Sequence, residues 1–319
     1  MTRHTRRRRS FQPRSLRDRL ARYALATAAP RPDHGFHSAW TMVGGIRVHA
    51  RVSATQQVGR PAVVLVHGLA VSHRYLMPTA QLLAADHNVY VVDLPGFGLS
   101  GDPGPALDVT EHATALAGWL DANRLGPAVL LGNSFGCQVL VELVTREPKR
   151  CTALVLSGPT IDPHARTAAR QTAGGLRDLL HEDPLQLPIL ARDVLDAGPT
   201  RVWGTLRAAL QDPIETKLPR VTVPTLVLRG ACEPVVPTRW AREATELIPD
   251  ADLVELSGSP HNAVYVTAEA LAAEVLRFLS ALGLGGRTEP WAPVTDPPIA
   301  APTLSTGAGS EQAIVRIST

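Results

Sequence analysis

Six short, almost unbroken apolar runs recur along the chain, at 62–66, 88–92, 128–131, 153–156, 225–228 and 253–256. None alternates with polar residues, so each reads as a strand buried on both faces. Between them lie segments whose apolar residues return every three or four positions, at 76–85, 109–123, 135–145, 238–247 and 268–282. Strand and helix take turns, which predicts an α/β fold: a mostly parallel central sheet with helices on both faces, and any ligand at the carboxyl ends of the strands. Ahead of the first run, 42–53 alternates about Gly44-Gly45 in the manner of a hairpin. With 45% hydrophobic but only 4% aromatic residues, the core between these layers has to be mostly aliphatic.

The alternation breaks once. Residues 159–220 hold helical pieces at 165–181, 185–195 and 201–211, separated by Pro184, Pro188, Pro199 and Pro213. They predict a helical cap inserted into a core made of 42–158 and 221–283. Set over the strand ends, a cap would enclose an apolar pocket, exclude water and select a small-molecule substrate.

Charge is distributed unevenly. Residues 1–31 carry ten Arg against the single acid Asp18, a net +9 that leaves −6 for the remainder of this +3 chain. Such a run repels itself, so 1–41 is expected to be a disordered basic arm that offers a contact to phosphate or anionic lipid. The acidic body gives no ground for nucleic-acid binding by the folded domain. Residues 284–319, rich in Pro, Gly, Ser and Thr, are expected to form a disordered tail. Arg8-Arg9-Ser10-Phe11 has the look of an export signal, but Arg14, Arg17, Asp18, Arg19 and Arg22 interrupt the apolar stretch that should follow. No run approaches the roughly 18 to 20 apolar residues of a membrane span. Three scattered cysteines, Cys137, Cys151 and Cys232, fit neither a disulfide framework nor a metal site. A reduced cytoplasm is the expected location, with Cys232 packed as a small hydrophobe.

The chemistry is concentrated in Gly132-Asn133-Ser134-Phe135-Gly136, between an apolar run and a helical segment. Glycines on both sides of a serine allow a strand-to-helix turn so sharp that a β-carbon would clash, and they lift Ser134 above the sheet. The new helix would aim backbone N–H groups and its positive end at the same place. His67-Gly68-Leu69 follows the strand at 62–66, so the N–H groups of Leu69 and Phe135 form the candidate oxyanion pair. A serine needs a base. His261 lies between the last apolar run and the final helix, and His67, tight against its own strand end, reads as structural. The base in turn needs a carboxylate. Glu233 follows the strand at 225–228; Asp162, in the loop after the preceding strand, is the alternative.

Together with Val66-His67-Gly68, Asp93-Leu94-Pro95-Gly96-Phe97-Gly98-Leu99-Ser100, Gly230 to Pro237 and Pro260-His261, these motifs resemble the α/β-hydrolase superfamily in its cap-bearing serine hydrolase and esterase branch, over residues 42 to 282. The resemblance implies a cofactor-free serine hydrolase that cleaves a carboxylic ester or related acyl bond through Ser134, His261 and Glu233, with Asp93 structural. Relatives more often carry Asp at the position of Glu233. Two other readings remain open: a carbon-carbon bond hydrolase of ring-fission type, whose Gly-Asn-Ser-x-Gly this chain shares, and a non-enzymatic ligand-binding module.

Overall fold

The apolar runs do form one sheet. In the computed structural model, which describes residues 16–27, 35–180 and 182–285, eight strands lie in the order β1-β2-β4-β3-β5-β6-β7-β8. β1 (Phe36–Val43) and β2 (Ile46–Ser53) make the antiparallel hairpin, and β2 meets β4 antiparallel. β3 (Ala62–Val66), β4 (Asn88–Val92), β5 (Ala128–Asn133), β6 (Cys151–Ser157), β7 (Thr225–Gly230) and β8 (Ala251–Leu256) pair in parallel. From β3 the chain crosses to β4 on one side and then returns to β5 on the other. This reversal puts the crevice for a ligand beside the carboxyl ends of β3 and β5.

Burial on both faces explains the unbroken runs. Val64, Val66, Leu130 and Leu156 join one apolar cluster with α3 (Val109–Ala122), α4 (Phe135–Arg146) and α9 (Thr238–Leu247). Their neighbours in sequence, Val63, Leu65, Leu131 and Val155, join the other with α2 (His73–Leu83), α10 (Ala263–Val266) and α11 (Ala268–Ala281). Helix starts follow local chemistry. Asp108 and Glu111 form a capping box at α3, and Ser72 accepts from the Arg74 N–H at α2.

Between β6 and β7 lie α5 (Ala168–Asp178), α6 (Leu187–Ala197), α7 (Pro199–Gln211) and α8 (Ile214–Lys217). Polar contacts fasten this insert to the core. The Ser72 hydroxyl lies 3.0 Å from each oxygen of Asp193, Arg74 pairs with Asp193 and Asp196, and the Gln138 amide donates to Asp212 at 3.1 Å. Lys217, buried, joins Asp212 to Glu142.

Two expectations need correction. The basic stretch 1–41 was expected to be disordered, yet Leu16–Thr27 is the helix α1, and the first strand already begins at Phe36. The reason is the acidic body. Arg19 pairs with Asp183 at 2.8 Å, and buried Arg22 donates to the Val266 carbonyl and faces Glu269 at 3.5 Å, so body carboxylates offset the like-charge repulsion. Cys232 is exposed rather than packed. The remaining arm positions, His181 and the tail from 286 lie outside the described residues. No helix among the described residues is long and apolar enough to cross a membrane.

Leu130, fully buried in β5, reports on this core. Leu130→Ala should lower unfolding free energy by about 2–5 kcal/mol in urea titration with an unchanged slope. Val58→Ala, at a fully exposed position, should change it by less than about 0.5 kcal/mol.

Candidate active site

β5 ends at Asn133 and α4 starts at Phe135, which leaves Ser134 alone in the turn with φ 53° and ψ −119°. A non-glycine residue in the left-handed region costs on the order of 1–3 kcal/mol and persists only where its surroundings hold it. Here close backbone approach holds it. A β-carbon on Gly136 would fall 2.4 Å from the Val66 carbonyl oxygen, and one on Gly132 would fall 2.8 Å from the backbone of Gly136 and Cys137. Only hydrogen fits at both positions, so α4 starts directly against β3.

Ser134 opens into a cavity of two adjoining lobes, each about 230 Å³. Leu69, Ser134, Gly175, Val235 and His261 border both lobes. Phe135, Ile161, Leu206 and Ala209 line the first, and Val71, Leu190, Asp178 and Glu182 line the second. The sequence-predicted Ser134, His261, Leu69 and Phe135 thus meet at one cavity. Residues of α5, α6 and α7 close it from the insert side.

His261 Nδ1 donates to Glu233 Oε1 at 2.5 Å, a short charge-assisted hydrogen bond. The bond fixes the ring tautomer and leaves Nε2 as the free lone pair. Glu233 is itself buried, and its second oxygen accepts from the Gly230 N–H at 3.2 Å. Burial alone would push the His261 pKa down. The Glu233 carboxylate, its hydrogen bond and the Asp178 charge outweigh that, and the pKa lies above the ordinary histidine value. Gly158, φ 58°, makes room for the pair: a β-carbon there would stand 3.0 Å from the His261 ring and 3.1 Å from Glu233.

Asp162 is engaged elsewhere. Its carboxylate accepts from Arg239 at 2.6 Å and from the His164 N–H at 2.9 Å, and among the described contacts none joins it to His261. Of the two candidate acids, the structure brings only Glu233 to the imidazole.

His67 is committed to the backbone on both sides. Nδ1 donates to the Gly68 carbonyl at 2.7 Å, Nε2 accepts from the Leu94 N–H at 2.9 Å, and burial pulls the pKa down. Sequence reasoning missed Tyr75. Its hydroxyl accepts from the Gly68 N–H at 2.8 Å and donates to Asn133 Oδ1 at 2.7 Å, and the Asn133 amide donates to the Ser157 carbonyl at 3.1 Å. This buried network ties together the loops on either side of Ser134. A tyrosine on an apolar helix face gives no signal of such a partner.

Asp93, fully buried, accepts from the ring nitrogens of His49 and His73 at 2.8 Å each, from the His73 N–H at 2.7 Å and from the Leu99 N–H at 2.9 Å. Burial would raise its pKa, but His73 and His49 hold it well below the usual carboxylate range. These three side chains have the donor types of a metal site. Both Nδ1 atoms are used on one Asp93 oxygen, which accounts for the cluster as a hydrogen-bonded pillar of the loop after β4.

Comparison with known proteins bears on the fold. A sequence profile described as "Alpha/beta hydrolase family" matches residues 63–274. The chain is 29% identical over 252 residues to the pimeloyl-[acyl-carrier protein] methyl ester esterase of Xylella fastidiosa, covering 70% of this chain and 96% of that protein. It is also 29% identical over 244 residues to the polyketide synthase ThaQ of Burkholderia thailandensis, 69% of this chain but only 12% of that much longer protein. Among solved structures, a bacterial membrane phospholipase A superposes with a TM-score of 0.69 at 20% identity, over 84% of this chain and 93% of that one.

The Glu233 charge outweighs the burial that would otherwise depress His261, so Glu233→Gln should lower the His261 pKa. The neutral imidazole would then persist to lower pH than in the wild type. A ¹H–¹⁵N NMR titration of the His261 ring reads the shift directly.

Proposed function

Because the chain belongs to the alpha/beta hydrolase family, we propose that it is a serine hydrolase that cleaves a carboxylic ester or related acyl bond of a small molecule through an acyl-enzyme on Ser134. One observation carries this reading: Ser134 and His261 border the same cavity, with His261 held at Nδ1 by buried Glu233. The esterase named above, matched over nearly its whole length, supports it.

In this reading the Ser134 hydroxyl adds to the substrate carbonyl while its proton passes to His261 Nε2. Glu233 stabilises the imidazolium that forms. The carbonyl oxygen becomes an oxyanion facing the N–H groups of Leu69 and Phe135, at the positive end of α4. Collapse expels the alcohol, which takes the proton from His261, and water repeats the sequence to free the acid and restore Ser134. The insert acts as a cap that shields these steps. The first lobe, lined by Phe135, Ile161, Leu206 and Ala209, suits an apolar acyl chain, and among the described residues no Lys or Arg borders either lobe. The favoured substrates are therefore neutral esters of short to medium chain length.

The reading is tested by fluorophosphonate labelling and p-nitrophenyl ester hydrolysis. Ser134→Ala should abolish labelling and lower turnover about 10⁴-fold or more. Glu233→Gln should cost roughly 10²- to 10⁴-fold, and Asp162→Asn far less. Labelling of the wild type without ester turnover would redirect the assignment to carbon-carbon bond hydrolysis. A folded wild type that resists the label would favour a ligand-binding module.

A further inference from the structure

The insert touches the His261 loop at two consecutive backbone amides. Asp178, the last residue of α5, accepts from the His261 N–H at 3.0 Å, and Glu182 accepts from the Asn262 N–H at 3.1 Å. Both carboxyls border the second lobe, and at 4% and 7% exposure both are almost wholly buried. Burying a carboxyl is unfavourable unless hydrogen bonds compensate, and apolar side chains would have covered the loop without that cost. The compensating donors here belong to the loop that carries the base, more than 80 residues away for Asp178 and 80 for Glu182.

An imidazole held at one nitrogen still moves with its own backbone. Glu233 restrains the ring of His261, and the two insert carboxyls restrain the main chain beneath it; together they set where Nε2 points. We infer that Asp178 and Glu182 are positioning residues for His261, so that seating of the insert over the cavity and aiming of the base at Ser134 are one event. The inference rests on the roles given above to Ser134 and His261.

Two further observations fit. Burial first, then a hydrogen bond and repulsion from Asp178, push Glu182 well above the usual carboxylate range, against the pull of the Asn262 N–H. The two buried carboxyls therefore interact with each other as well as with the loop they hold. Next in the chain, Asp183 is gripped by Arg19 of α1, which pins this end of the insert from outside.

The test uses the full-length protein with Asp178→Ala and Glu182→Ala combined, beside Asp178→Asn and Glu182→Gln, which each keep an acceptor oxygen. The double alanine variant should lose about 10- to 100-fold in kcat for p-nitrophenyl butyrate and in labelling rate, the scale set by a displaced base. KM should change by less than about 3-fold, since the acyl chain is assigned to the first lobe, which neither carboxyl lines. Asp178→Asn should recover most of the rate while its acid limb moves to lower pH. The charges facing the ring are Glu233 and Asp178, with Glu182 beside Asp178, and removing the Asp178 charge withdraws part of what holds the imidazolium up. The downfield ¹H resonance of His261 Nδ1–H needs no serine chemistry, and it should broaden in the double variant. A folded double variant with wild-type kcat and an unchanged resonance overturns the inference. If the double variant does not fold, single variants that lack both the pH shift and any change in the resonance overturn it equally. Failure of the wild type to label would instead count against the role of Ser134, and the resonance would still decide the restraint on the loop.

Discussion

The structure depends on how near α4 comes to β3. Hydrogen atoms at Gly132 and Gly136 let the backbone of one strand-turn-helix unit rest on the end of the neighbouring strand, where any β-carbon would overlap a carbonyl oxygen or the next turn. This contact puts Ser134 into a left-handed backbone at the start of α4, on the border of the cavity. The site is assembled around a backbone collision that the sequence avoids at two positions.

Loops that face a cavity lack the ladder hydrogen bonds that hold strands, so buried side chains take over. Tyr75 and Asn133 bridge the loops after β3 and β5. His67 spans from its own loop to Leu94, and Asp93 collects four donors beneath the loop after β4. Each group is satisfied on both sides, which lets polar atoms stand in a largely aliphatic core without a large desolvation cost. These networks tie the loops around the site to one another.

The insert is joined to the core by the same kind of interaction. Asp193 meets Ser72 and Arg74 at the start of α2, Asp212 meets Gln138 and Lys217 near α4, and Asp178 and Glu182 reach the His261 loop. Acidic residues of the insert thus find donors on three core elements. The excess negative charge outside the first 31 residues also gives α1 its docking partners, Asp183 and Glu269. Charge composition read as a property of the arm alone missed this, because repulsion along a run is local and its compensation comes from residues far away in the chain.

The sequence by itself determined the alternation of strand and helix, the hairpin about Gly44-Gly45, the turn at Ser134 and the loop position of His261. These rest on periods of two and 3.6 residues and on glycine, all of which act within a few residues. β3 and β4 span the apolar runs that mark them, and β5 and β7 extend two residues further, through Gly132-Asn133 and Arg229-Gly230, because the ladder continues past the last large apolar side chain. Which acid faces His261 was decided only by the tertiary structure. Glu233 and Asp162 follow adjacent parallel strands and are equivalent by position, but Arg239 of α9 draws Asp162 away while Gly158 clears the space where Glu233 meets the imidazole. Tyr75, Asp178, Glu182 and the docking of α1 were hidden for the same reason: each depends on a partner 58 to 244 residues away, and no local pattern encodes a separation of that length.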